Sequence, residues 1–216
     1  SGQIGASAVA KATPDGYTLM LDASSFAVNP ALFPKLPYDS SKAFKPIGVM
    51  ALFPNVVLVN AQLPAKNIAD LIALAKSRKD AIAYASSGNG SAQHLAGALF
   101  ESAAKVDMVH IPYKGGGPAL NDVIGGQVPL FFGNLASTLQ HVQAGKLKLI
   151  GTLSSKSADL TPNTPAFGRL VNGYDFTGVF GLIARGGTSP ALVRQIRNDF
   201  SSVMQMPEVA ERIRSI

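Results

Sequence analysis

The chain has 216 residues, of which 47% are apolar and 15% charged, with a formal net charge of +6. That length can bury a sizeable core. The charged share is well below the about 25% of ordinary soluble proteins, which excludes intrinsic disorder and coiled coil. Cysteine is absent, so disulfides, thiolate catalysis and thiolate metal sites are excluded together.

The basic residues are scattered with no run of four, so no nucleic-acid stripe is present and no nucleic-acid partner is expected. The excess of positive charge suits an anionic partner, but charge alone does not choose between nucleic acid, membrane and small acids. The three histidines, His94, His110 and His141, have no metal-ligand spacing, and neither a metal nor a cofactor is expected. No apolar run reaches the roughly 18 residues of a membrane span. The opening residues SGQIGASAVA have no basic n-region or long apolar h-region, so they are not a signal peptide.

In chain order, YTLML (17–21) reads as a strand, followed by two more at 44–50 and 55–59. Between the first and the second of these strands PALFPKLPYD, with three prolines, reads as a surface loop. Asn67 is placed as the N-cap of a helix whose Ile68, Leu71, Ile72 and Ala75 share one face. Next come strands at 81–86, 106–112, 128–132 and 146–154, separated by glycine-led helical stretches. Strand–helix–strand with short connections predicts parallel pairing. Pro129 places its strand at an edge or weakens it. After residue 155 a loop-rich stretch leads to a strand at 176–184. A helix then opens at Pro190 behind Thr188 or Ser189.

The apolar strands 55–59 and 176–184 bracket the regular middle. The economical partition is two α/β domains: 1–62 with 176–216, and 63–175. Ligands of such folds lie in the cleft, at the carboxyl ends of the strands.

Three strand-to-helix turns carry unusual residues: Ser86 to Ser91, Tyr113 to Pro118, and Gly133 to Ser137. All three are expected on one edge of a parallel sheet. Glycines admit close backbone approach, and helix N-terminal N–H groups point at an anion. Each turn alone is also explained by tight geometry and capping. Ser91 and His94 read as a cap and a cleft histidine in preference to a nucleophile and base, and His110 as packed. Asp22, Ser24 and Ser25 could face the cleft from the first domain, with Phe26 and Phe180 as apolar walls. Lys114 is a candidate charge, though a lysine there is more often solvated. Nucleotide, phosphate-loop and hydrolase-elbow motifs all fail: neither G-x-G start is completed, and neither G-x-x-x-x-G-K-[ST] nor G-x-S-x-G occurs.

The runs VAKATPDGYTLML, NPALFPKLPYDSSKAFKPIGVM, PAKNIADLIALAK, YASSGNGSAQHLAG, VDMVHIPYKGGGPAL and GGQVPLFFGNLAS resemble the solute-binding receptors of the tripartite tricarboxylate transporter family, also called Bug receptors. The resemblance covers the whole chain without a gap. It implies a type II periplasmic-binding-protein fold, two α/β domains joined by two crossover strands around a ligand cleft. It implies capture of a di- or tricarboxylate or aromatic acid by domain closure, delivery to membrane permease subunits, a periplasmic location and a monomer. The positions matching the family's carboxylate site are Ser86, Gly88, Asn89, Ser91 and His94, then Tyr113, Lys114, Gly115 and Gly116, then Asn134. By the same resemblance the family begins earlier and ends later than this chain. It often carries Asp where Gly133 stands, which suggests a plain carboxylate over an amino acid. A hydrolase or other enzyme on the same architecture, or a ligand sensor for a membrane kinase, stays open as an alternative.

Overall fold

The computed structural model describes residues 2–23, 25–77, 80–154, 161–170 and 174–214. The chain divides into two compact units, residues 1–52 with 179–216, and 53–178.

The first unit holds α1 (Gln3–Lys11), β1 (Leu19–Asp22), α2 (Ser25–Leu32) and the start of β2 (Phe44–Asn60). β1 pairs antiparallel with the later part of β7 (Thr177–Arg185), Leu19 opposite Ala184. A small core gathers Ala6, Val9, Met20, Phe44 and Ile183. Two helices close the chain, α7 (Pro190–Met204) and α8 (Pro207–Arg214). Ser189 caps α7 by accepting the Leu192 N–H at 3.3 Å, with Pro190 in the first turn, as the sequence predicts. α7 is tied to β2 by Arg197, whose Nε donates to the Ile47 carbonyl at 2.9 Å.

The second unit runs through the rest of β2, α3 (Ile68–Ser77), β3 (Ile82–Ser86), α4 (Ala92–Ala104), β4 (Met108–Pro112), α5 (Gly116–Ile124), β5 (Leu130–Asn134), α6 (Leu135–Gln143) and β6 (Leu147–Thr152). β3 pairs parallel with β4 and with β5, and β2 runs antiparallel between β5 and β6. Asn67 caps α3 through Oδ1, which accepts the Asp70 N–H at 2.8 Å. Asp70 reaches back to the Lys66 N–H, a reciprocal cap.

Three expectations change. β2 is one 17-residue strand and not two. Pro54 does not break it, because the ladder to β5 and β6 begins only at Asn55. The proline-rich stretch begins inside α2, which runs on to Leu32 with Pro30 within it. Pro129 marks no edge: it lies just before β5, its carbonyl accepts the Asn60 N–H, and β5 is interior between β2 and β3.

The sheet of the second unit separates two apolar layers. One face carries Val57, Val59, Tyr84, Leu130 and Phe132 against α4 residues Ala96 and Phe100. The other carries Val56, Leu58, Ala85 and Phe131 against Ala119, Val123 and Leu135. The alternation is the period-two signature of a sheet covered on both sides. α4 approaches closely at Gly97, where an added Cβ would enter the ring of the fully buried Tyr84. Gly97→Ala should therefore destabilise the chain by about 1–2 kcal/mol, overpacking outweighing the helix propensity gained. Urea melting checks this, and unchanged stability would contradict it.

Candidate functional site

β3, β4 and β5 are parallel, so the turns that follow them leave one edge of the sheet. Each leads into a helix whose first N–H groups have no acceptor within the helix.

The first turn is built on Ser86, which is fully buried at the end of β3. Its Oγ accepts the Gly88 N–H at 3.1 Å and lies 2.6 Å from Nε2 of His110. Gly88 has φ 127°, and a Cβ there would sit 3.1 Å from the Tyr113 carbonyl, so glycine is required. Asn89 is exposed at the tip. Ser91 caps α4, its Oγ accepting the His94 N–H at 3.3 Å. His94 Nδ1 accepts the Gly90 N–H at 3.1 Å. The ring of His94 stacks on that of His110 with centroids 4.0 Å apart, and His110 in turn stacks on Tyr84.

The second turn is bonded to the first. The Tyr113 N–H donates to the Ser86 carbonyl and the Gly115 N–H to the Ser87 carbonyl. The Tyr113 phenol donates to Asp122 Oδ2 at 2.7 Å, which pushes its pKa up to about 12. Lys114 is exposed. Gly115 has φ 115°, α5 has no side-chain cap, and an added Cβ at Gly115, Gly116 or Gly117 would meet only open space. In the third turn Asn134 caps α6, its Oδ1 accepting the Ala136 N–H at 2.8 Å.

The structure therefore gathers Ser86, Gly88, Ser91, His94, Tyr113, Gly115, Gly116 and Asn134 around one sheet edge. Asn89 and Lys114 stand exposed in the same turns, and the remaining named residues lie in the first unit. Ser24 falls outside the described residues, and Ser25 opens α2. Phe26 packs edge-on against Phe44 at 5.3 Å, beside that unit's core. Phe180 is half-buried in β7. At position 133 a Cβ would lie 2.7 Å from the Phe131 ring, on the face opposite Asn134.

Two residues of this edge carry no local signal in the sequence. His110, expected to be packed, anchors the first turn through Ser86. Its placement beside Tyr84 in the parallel register is a tertiary fact no local pattern carries. Asp122 meets Tyr113 across nine residues of sequence, from another element.

Both rings are held neutral. Burial pushes His110 down from 6.5 to about 4, with the charge of His94 adding to it, and burial lowers His94 too. The folded chain thus binds fewer protons than the unfolded one between 6.5 and about 4, and stability falls as pH drops through that window. His110→Gln, which keeps a hydrogen-bonding group for Ser86, should lose less melting temperature over this interval than the natural chain. Identical pH slopes in a thermal scan would contradict the assignment.

Glycine-rich turns and helix N-termini at one sheet edge, with no cationic cluster among the described residues there, make an α/β domain of the kind that suits anions. The chain belongs to the family described as "Tripartite tricarboxylate transporter family receptor", which matches residues 1–215. Protein BugT of Bordetella pertussis is 34% identical over 97% of this chain and 65% of its own length. A solved R. palustris protein with adipate superposes with a TM-score of 0.92 at 29% identity, over 99% of this chain and 72% of that one. MatC from Rhodopseudomonas palustris with bound malate gives a TM-score of 0.88 at 29% identity, over 99% and 74% of the two chains. The chain spans 65% of the length of the first curated relatives it matches. The fold is the type II periplasmic-binding-protein fold, and the family and its structural neighbours are solute-binding proteins.

Proposed function

We propose that this chain belongs to a periplasmic receptor that captures a small carboxylate and delivers it to the membrane permease of a tripartite transporter. The observation that carries the reading is the glycine-lined edge of the second unit. There the N-termini of α4, α5 and α6 leave one side of a parallel sheet, and Gly115 to Gly117 face open space. A carboxylate needs only such donors, and the partial positive charge of helix N-termini favours it. Adipate and malate, held by two similar proteins, are both dicarboxylates, which supports a dicarboxylate here. The net charge of +6 helps attract it. The receptor acts as a monomer and needs no nucleic acid, metal or cofactor. Among the described residues no helix is long and apolar enough to cross a membrane, so the permease is a separate partner in this reading.

The geometry favours binding over catalysis. Ser91 Oγ accepts the backbone N–H of His94, and His94 Nδ1 accepts the Gly90 N–H, so this serine and histidine make no nucleophile–base pair. Ser86 and His110 at 2.6 Å are the specific observation behind the enzyme reading. What acts most on His110, however, is burial, which disfavours an imidazolium. A triad carboxylate does the opposite. Ser86 is also fully buried.

In a thermal-shift panel, the full-length protein should melt higher with a dicarboxylate, by mass action worth about 2.7 kcal/mol at a hundredfold excess over Kd. The compound should be recovered unchanged. Consumption of the compound, or no rise with any carboxylate, would overturn the reading.

A further inference from the structure

Of the three turns at the binding edge, the second has the least to hold it locally. Ser91 and Asn134 cap α4 and α6, whereas α5 opens on Gly115, Gly116 and Gly117 with no side-chain cap. A Cβ at any of these glycines would meet open space, so no neighbouring atom packs where a side chain would stand. Glycine loses more conformational freedom on ordering than any other residue. Pro118 follows and has no N–H, so the first-turn donors without an acceptor inside α5 come from the glycines. A run of this kind presents its amides in one arrangement only if both of its ends are fixed.

Both ends are fixed, and to each other. Upstream, Tyr113 donates its N–H to the Ser86 carbonyl at 3.0 Å, and its own carbonyl lies close against Gly88. Downstream, α5 is seated by the fully buried Ala119 and Val123. Asn60 Nδ2 donates to the Val123 carbonyl at 2.9 Å and to the Ile124 carbonyl at 3.2 Å. The Asp122 carbonyl accepts the Gln127 N–H at 2.9 Å. Between these anchors the Tyr113 phenol donates to Asp122 Oδ2 at 2.7 Å, across nine residues of sequence. That is the length of a charge-assisted O–H to carboxylate bond, and it closes a ring around the three glycines. Tyr113 also packs against the apolar layer that holds Ala119 and Val123.

We propose that Tyr113 does not touch the ligand and acts through Asp122 as a positioning residue, the phenol–carboxylate bond setting the arrangement in which Gly115 to Gly117 receive a carboxylate. The proposal rests on the receptor reading above, and it departs from the ligand contact that the family resemblance implies for Tyr113. A phenol turned to a ligand carboxylate would exchange one carboxylate acceptor for another and gain no hydrogen bond. It would also leave Asp122 without its donor and the glycines without their brace. With the bond in place, the glycines are ordered during folding and not at the moment of binding.

The test compares the natural full-length protein with Tyr113→Phe, Asp122→Ala, Asp122→Asn and the combined Tyr113→Phe, Asp122→Ala variant. Tyr113→Phe keeps the ring and its packing. Two quantities are read: NMR order parameters of the Gly115, Gly116 and Gly117 amides without ligand, and calorimetric Kd values for succinate, malate and adipate. Tyr113→Phe and Asp122→Ala should lower the three order parameters alike. Each should weaken every dicarboxylate that the natural protein binds by a similar factor, roughly 3- to 10-fold, the worth of one hydrogen bond. The combined variant should lose no more than either alone. Asp122→Asn keeps an oxygen that accepts from the phenol, so it should stay within about twofold of the natural Kd. Lower melting temperatures with unchanged order parameters and unchanged Kd would make the bond merely structural and overturn the proposal. A loss in Tyr113→Phe that Asp122→Ala does not share would mean that the phenol meets the ligand, and would overturn it too. In both cases the natural protein still binds and the receptor reading stands. Binding of none of the three probes by the natural protein also overturns the proposal, and the thermal-shift panel above then decides the receptor reading separately.

Discussion

One buried hydroxyl organises the binding edge. Ser86 Oγ holds the Gly88 N–H and meets His110, while the Ser86 carbonyl takes the Tyr113 N–H. A polar group out of contact with water has to be paired, so this serine ties the first turn to the second and fixes the ring of His110. His110 in turn stacks between His94 and Tyr84, which positions the first turn of α4 over the end of the sheet. If Ser86 moved, the glycine-led backbone at Gly88 and the capped start of α4 would move with it. Pre-organisation of this kind lets backbone groups hold an anion with little ordering cost at the moment of binding.

The same edge explains how a weakly charged site can bind charge. The lysine in the second turn, Lys114, points into solvent. In the proposed reading the attraction comes from N–H groups at helix starts, whose dipoles are fixed by the fold. The global excess of positive charge works at longer range and is screened by salt. The local donors set affinity, and the global charge sets the rate of encounter.

Much of the second unit could be read from the chain. Glycine-led starts and apolar strands alternate regularly from Ile82 to Thr152, and Asn67, Ser91 and Ser189 sit where caps belong. Proline caused the misreadings. Pro54 lies just before the ladder to β5 and Pro129 just before β5 itself, while Pro30 is carried within α2. Local rules that treat proline as a breaker cannot see which N–H groups the tertiary pairing leaves unused. The glycine turns were legible because each opens a helix after a strand. His110 was not, because a polar residue in an apolar strand reveals its role only through what lies across the sheet. That depends on register, which short-range sequence does not carry.

The central claim is that backbone amides at one sheet edge of the second unit hold the ligand carboxylate. The direct measurement is amide-resolved NMR of the isotope-labelled full-length protein, titrated with a dicarboxylate that raises its melting temperature. The account predicts that the largest shifts fall on the amides of Gly88, Gly115 and Gly116, saturating together with a single affinity. Saturable binding that leaves those three amides unmoved would contradict it and place the carboxylate elsewhere.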